Sequence, residues 1–264
     1  MGDFDTIRAV VTGGGSGIGA ALADALVARG ARVASADMSD AAAYRCDVTD
    51  RAELDALAAA VERDLGGVDM VFANAGVYVG GSLGDMDPRE FDWLFDVNVR
   101  GVFNTVQAFL PILLRGATSG RARIVITGSE NAVGLPSHVV NTAYTATKHA
   151  LLAMADGLRR DLEGTGVGVS ILCPGAVNTR LWDSRRARQD RFGGSAPVTG
   201  EPAAAAEKLI AEVGQDANVT ARICLDGVAG DEFLIITDPT VRSFAERRHR
   251  EVEAALDRID ARLR

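Results

Sequence analysis

Residues 7–30 read IRAVVTGGGSGIGAALADALVARG, and the order of their parts decides the fold. Ile7–Thr12 is a short run rich in branched apolar residues, with the length and composition of a buried strand. It leads directly into a glycine-rich turn and then into Gly17–Arg29, whose alanines and leucines recur at helical spacing. Glycines permit positive φ and close approach of backbone amides to a ligand, and a helix start adds unpaired N–H donors and partial positive charge. Strand, turn and helix in this order predict a pyrophosphate-binding turn made by Gly13, Ser16, Gly17, Ile18 and Gly19, spaced G-x-x-x-G-x-G.

Outward from that stretch the same alternation continues. Further strands are expected at Arg32–Ala36, Tyr44–Cys46, Val68–Ala73, Arg123–Thr127, Val167–Leu172 and Phe233–Ile236. Helices are expected at Asp50–Leu65, Pro88–Leu114, Thr142–Glu163 and Pro202–Val213. Alternating strands and helices predict an α/β fold, a single doubly wound domain around a seven-stranded parallel sheet over residues 1–243. The Asp37–Arg45 connection is too short for a full crossover helix. Residues 244–264 follow as one amphipathic helix, with Phe244, Val252, Leu256, Ile259 and Leu263 mostly three or four apart, packed on the domain or at an oligomer interface.

Composition narrows the function classes. The 264 residues are 47% hydrophobic and 24% charged, which suits one well-filled globular domain. A net charge of −8 disfavours nucleic acid as a partner. Cys46, Cys173 and Cys224 are far apart, and the 3 histidines form no cluster, so neither a disulfide framework nor a metal site is expected. No leader precedes the first strand and no apolar stretch approaches the ~20 residues of a membrane span, so a cytoplasmic protein without membrane contact is expected.

Asp37 closes the second strand, where a carboxylate can accept hydrogen bonds from ribose hydroxyls and would repel a 2′-phosphate. This predicts NAD(H) as cofactor in preference to NADP(H). At the end of the third strand, Asp47 is placed to accept from an adenine amino group and Val48 to pack on the ring. Tyr144 and Lys148 share one face of a helix, four residues apart, in a chain whose only lysines are Lys148 and Lys208. An ammonium at ~5 Å, at an effective dielectric of about 20, contributes roughly 3 kcal/mol, enough to move a phenol from ~10 toward neutral pH. That pair predicts a proton-transferring phenol.

These residues together resemble the short-chain dehydrogenase/reductase family, from residue 6 to about 237. Thr12–Gly19 resembles its T-G-x-x-x-G-x-G cofactor turn, and Asn74, Ala75 and Gly76 its N-A-G element beside the cofactor. Pro174, Val177 and Thr179, in PGAVNT, resemble the P-G-x-V-x-T element that orients the nicotinamide amide. Asn98, Ser129, Tyr144 and Lys148 match its catalytic set. The resemblance implies a Rossmann-type, NAD-dependent oxidoreductase acting on a small-molecule alcohol or carbonyl substrate. It also implies a homotetramer built on Pro88–Leu114 and Thr142–Glu163. In that scheme Tyr144 exchanges the alcohol proton, Lys148 lowers its pKa and holds the nicotinamide ribose, Ser129 binds the substrate oxygen, and Asn98 holds a water of the proton relay. Ser129 precedes Tyr144 by 15 residues, a longer interval than the family's usual one, which predicts a bulge near the substrate.

Two other functions fit the same residues less fully. One is a reductase of a larger aromatic or acidic carbonyl compound, met by the arginines between Arg180 and Arg191 where the family carries its substrate lid. A solvated charged loop is the plainer reading of those arginines. The other is a catalytically idle cofactor-binding protein with a regulatory role, against which the full set of Asn98, Ser129, Tyr144 and Lys148 stands. Trp182, Leu181, Leu135 and His138 are candidates for the pocket wall.

Overall fold

The computed structural model describes residues 4–117, 120–136 and 140–263. Seven strands form one sheet: β1 (Arg8–Thr12), β2 (Arg32–Asp37), β3 (Tyr44–Arg45), β4 (Met70–Ala73), β5 (Arg123–Thr127), β6 (Gly168–Cys173) and β7 (Leu234–Ile236). All pairings are parallel, in the order β3-β2-β1-β4-β5-β6-β7. The chain winds outward from β1 to β3, then crosses back to lay β4 on the other side of β1. That reversal opens a crevice at the carboxyl ends of β1 and β4, the place where open α/β sheets bind ligands. The expected doubly wound architecture is the one observed, and β2 passes to β3 through a short turn without a helix.

Helices cover both faces, so the strands carry apolar side chains on both sides. On one face lie α1 (Gly17–Ala28) and α7 (Ala217–Ala229), which pack Leu22, Leu26, Cys224 and Leu225 against Val11, Phe72 and Leu172. On the other lie α2 (Arg51–Leu65), α4 (Gly101–Gly116) and α5 (Thr142–Asp161), with Leu54, Val61, Phe109, Leu113 and Leu151 over Val10, Val71 and Ile124. Asp50 starts α2 by accepting from the Ala52 and Glu53 amides, and Gly66 ends it in the left-handed region at φ 77°.

Three features differ from the sequence reading. The helix expected over Pro88–Leu114 is α3 (Pro88–Phe95) and α4 joined by a π-helical turn, Asp96–Arg100. The span Pro88–Gly116 is also long and apolar enough to cross a membrane, unlike any stretch expected; 61% of its most apolar window is buried, which marks a core helix. Thirdly, α6 (Glu201–Val213) is followed by the unexpected α7. The last helix, α8 (Arg242–Leu263), is anchored by buried Phe244 and is exposed from Glu246 through Leu263.

Next to β1 and β4, the buried Asp69 carboxylate accepts from the Arg8 amide (2.9 Å), Nε (2.8 Å) and Nη2 (2.7 Å). Burial works to raise its pKa, but the Arg8 hydrogen bonds outweigh it and hold the carboxyl below the usual range. Removing one member of a buried pair costs about 3–5 kcal/mol, and partial solvent access of Arg8 reduces this to roughly 2 kcal/mol. Arg8→Met is expected to lower the urea midpoint accordingly. Because the folded pKa is depressed, the stabilisation is present above the unfolded value of ~3.9 and is lost as pH falls through the folded one, so the gap between the two proteins closes in acid.

Candidate active site

Three loops meet at the crevice, and one hydroxyl joins two of them. Thr12, the last residue of β1, accepts at Oγ1 from the Asn74 amide (3.1 Å) and the Ala75 amide (3.2 Å), and donates to the Phe72 carbonyl (3.3 Å). Asn74 returns the contact, its Nδ2 donating to the Thr12 carbonyl at 3.1 Å and the Gly13 carbonyl at 3.4 Å. Thr127, at the end of β5, donates to Asn74 Oδ1 at 3.0 Å. Asn74 thus ties the ends of β1, β4 and β5 to one another.

The glycine turn is shaped by close approach. A Cβ on Gly19 would lie 2.0 Å from the Gly13 carbonyl oxygen, and one on Gly13, at φ 66°, would lie 2.8 Å from Ala75 Cα. Ser16 caps α1 with extended backbone and no hydrogen bond from its side chain to the first turn, and Gly17 and Ile18 follow in that turn. Asp37, closing β2, faces the same turn: its carboxylate accepts from the Gly15 amide at 3.1 Å and the Ser39 amide at 2.9 Å. On the far side, Thr179 places its methyl group 3.1 Å from where a Gly17 Cβ would be. Val177 forms an isolated parallel bridge with Gln215 that fixes the segment after Pro174. Glycines packed this tightly, amides at a helix start and a carboxylate beside them fit a dinucleotide.

The residues expected to transfer the proton converge beside this turn. Tyr144 and Lys148, on successive turns of α5, are both buried. The Lys148 ammonium lies 5.5 Å from the Tyr144 ring centroid and donates to the Thr127 carbonyl at 3.1 Å. Ser129, despite the long interval, lies near enough to the Tyr144 hydroxyl to lower its pKa, and its Oγ accepts from the Asn131 amide at 3.2 Å. The extra residues are taken up partly in a 3₁₀ turn, Glu130–Ala132; His138 lies outside the described residues. Burial pushes the Tyr144 phenol up, against Ser129, which pulls it down. The expected lowering by Lys148 is not among the influences on the phenol, and the same burial draws the ammonium down to about 8. Glu130, next to Ser129, is pushed up to about 7 by burial and by Asp238.

Asn98 lies in the π-helical turn, a distortion common at functional sites. Its Oδ1 accepts from the Val77 amide (2.8 Å), and its Nδ2 donates to the Val77 carbonyl (3.0 Å) and Thr147 Oγ1 (3.1 Å). The amide group therefore clamps the loop after β4 to α5. Gly76 sits between the parts, a Cβ there being 3.4 Å from Asn98 Oδ1 and 3.7 Å from Lys148 Nζ.

Several participants escaped the sequence reading. Tyr78 packs edge-on against Tyr144, with centroids 5.0 Å apart, and supplies an aromatic wall. Its place four residues after Asn74, as one of 3 tyrosines, was the available signal. The arginine-rich segment is a docked strap. Arg185 and Arg188 both bind Glu90, Arg191 binds Thr49 and Asp96, and Arg180 binds Asp183. Arg186 donates to the Arg180 and Asp183 carbonyls. With these partners the arginines hold the strap rather than await an anion. Gln189 bridges Trp93 Nε1 (2.8 Å) and Asp47 Oδ2 (2.9 Å), so the carboxylate expected to meet adenine already has a partner. Val48 is buried against Gly101 and its carbonyl accepts from Asn104.

The sequence profile of a family described as short chain dehydrogenase matches residues 8–190. A 1-deoxy-11-beta-hydroxypentalenate dehydrogenase of Streptomyces exfoliatus is 38% identical over 222 residues, 76% of this chain and 78% of that protein. Among solved structures, a short chain dehydrogenase/reductase from Burkholderia phymatum in complex with NAD aligns with a TM-score of 0.84 at 32% identity, covering 97% of both chains. A short chain dehydrogenase from Burkholderia cenocepacia in complex with NADP aligns with a TM-score of 0.72 at 29% identity, over 89% of this chain and 98% of that one.

Thr12→Val keeps the shape of the side chain but removes the acceptor for two amides. An unsatisfied buried donor costs about 1–3 kcal/mol, so the variant is expected to unfold at lower urea and to bind dinucleotide more weakly. Thr12→Ser, which keeps the hydroxyl, should behave nearly as wild type in both measurements.

Proposed function

Because this chain belongs to the short chain dehydrogenase family, as an oxidoreductase acting on CH–OH groups, we propose that it interconverts a secondary alcohol and a ketone with NAD(H), through Ser129, Tyr144 and Lys148. The observation that carries this reading is the buried convergence of Tyr144, Lys148 and Ser129 beside the glycine turn. When bound, the nicotinamide cofactor supplies or accepts the hydride. The chain itself manages the proton and the oxygen. Tyr144 donates its proton to the carbonyl oxygen in reduction and takes it from the alcohol in oxidation. Ser129 donates to the substrate oxygen where negative charge develops. Lys148 holds positive charge beside the phenol and presents N–H donors to the cofactor ribose. Asn98 fixes the loop and helix around them, with a relay water as its further role.

Asp37 supports NAD(H) over NADP(H), since a 2′-phosphate beside its carboxylate meets like charge. In this reading Gly13, Ser16, Gly17, Ile18 and Gly19 receive the pyrophosphate, Asn74, Ala75 and Gly76 flank the cofactor, and Pro174, Val177 and Thr179 face its nicotinamide end. The adenine contacts of Asp47 and Val48 share their place with Gln189 of the strap. Tyr78 favours a substrate with an apolar flank, and the internal pairing of the arginines argues against an acidic one. Self-association through α4 and α5 is supported by the groove where Phe103 and Met154 meet Phe95 and Val99, rimmed by Asp92, Asp96 and Arg100. The buried, unpaired thiols of Cys46, Cys173 and Cys224 suit a reducing, cytoplasmic setting.

Tyr144→Phe is expected to lower turnover by about 10²–10⁴-fold while NAD(H) affinity, read by fluorescence, stays within a small factor of wild type. Activity is followed at the reduced-nicotinamide absorbance band over a panel of alcohols and ketones; near-normal turnover by the variant would remove Tyr144 from the role. Parallel titrations with the two cofactors test Asp37. Wild type should prefer NAD(H) by on the order of tenfold or more, about 1.4 kcal/mol, and Asp37→Ser should shrink that preference. Equal or tighter binding of NADP(H) by wild type would overturn the assignment.

A further inference from the structure

The face of α8 left in solvent has the residue pattern of a self-complementary coiled coil. Val252, Leu256, Ile259 and Leu263 are 48%, 52%, 44% and 79% exposed, and their spacing of four, three and four residues places them in one seam. With Leu256 and Leu263 at a, Val252 and Ile259 take d, and Ala245 and His249 extend the seam toward the domain. The flanking e positions are Glu246, Glu253 and Asp260, all acidic. The flanking g positions are Arg248, Ala255 and Arg262, two of them basic.

Segregation of acid to e and base to g selects one geometry. In a parallel pair, each g residue meets the e residue five positions later on the other helix, so Arg248 faces Glu253 of a second copy, twice by symmetry. In an antiparallel pair, e faces e and g faces g, which sets Glu246, Glu253 and Asp260 against their own kind. The contacts within the helix, among them Arg248 to Glu251 at 3.9 Å, Arg250 to Glu246 at 3.8 Å and His249 to Glu253 at 3.7 Å, are long and exposed, and can give way to pairing across a seam. We propose that α8 joins two copies of this chain as a short parallel two-stranded coiled coil. The seam spans under three heptads, too short to stand as a free peptide. Buried Phe244 and the Arg247 donor bond to the Leu135 carbonyl at 2.7 Å fix its root to the domain and give it direction. This interface shares no residue with the groove of Phe95, Val99, Phe103 and Met154 and is independent of the reaction proposed above.

Single thiols in the full-length chain test it, because Cys46, Cys173 and Cys224 are all buried. Leu256→Cys and Leu263→Cys, each alone, are expected to give covalent dimers in most chains on mild oxidation, since parallel register brings each residue to its own copy. Adding Val252→Glu and Ile259→Glu should abolish the cross-link. Arg248→Glu should weaken it severalfold, and Arg248→Glu with Glu253→Arg should restore it. Turnover is expected to stay at wild-type level throughout, which separates failure here from failure of the catalytic reading. Absence of cross-linking at both positions, or cross-linking indifferent to Val252→Glu with Ile259→Glu and to the charge exchange, overturns the proposal.

Discussion

A threonine side chain at the end of β1 holds the crevice in shape. Parallel strands leave their last carbonyls and the amides of the following loops pointing into the same space, and these groups need partners once helices cover the sheet. Thr12 and Asn74 supply those partners to each other, and Thr127 ties in the third strand end. The result is a rigid floor on which the glycine turn can approach within contact of its neighbours. The same floor carries the Thr127 carbonyl that receives Lys148. The glycine turn and Lys148 are therefore positioned by one connected network.

Burial changes the electrostatics that the Tyr144–Lys148 spacing suggests. Four residues of separation set the two groups on one helix face, and a Coulomb argument alone brings the phenol toward neutral pH. Withdrawal from water acts on both groups in the direction of neutrality: it raises the phenol and lowers the ammonium to about 8. A protonated phenol is ready to give its proton to a carbonyl oxygen. To act as a base it needs further positive charge or donors, which the proposed cofactor and Ser129 provide.

Local sequence made the sheet, the cradle and the helix of Tyr144 legible, because each follows from composition within a few residues. Long-range pairing was not legible. Arg185 and Arg188 look solvated in their own stretch, yet their partner Glu90 is about a hundred residues away. The π-helical turn has no local signature either, since DVNVR reads as ordinary helix and the bulge is held by Asn98 reaching back to Val77. α7 was missed for another reason: its buried face is Thr220, Ala221, Cys224, Leu225, Gly227 and Val228, mostly small residues. Small residues suit close packing on α1 and give no strong apolar stripe.

The strap adds a constraint on how a dinucleotide enters. Gln189 occupies an oxygen of Asp47 while holding Trp93, and Arg191 ties the same segment to Thr49 and Asp96. Those contacts cross the end of the crevice proposed for adenine, whereas the residues proposed for the pyrophosphate make none of them. An adenine amino group that reached Asp47 would exchange one donor for another, at little net gain in hydrogen bonding. In the proposed reading, discrimination between cofactors therefore falls on Asp37, whose carboxylate is fixed by the Gly15 and Ser39 amides. Both donors orient the carboxylate without cancelling its charge, so in that reading its repulsion of a phosphate is retained where its hydrogen-bonding capacity is partly spent.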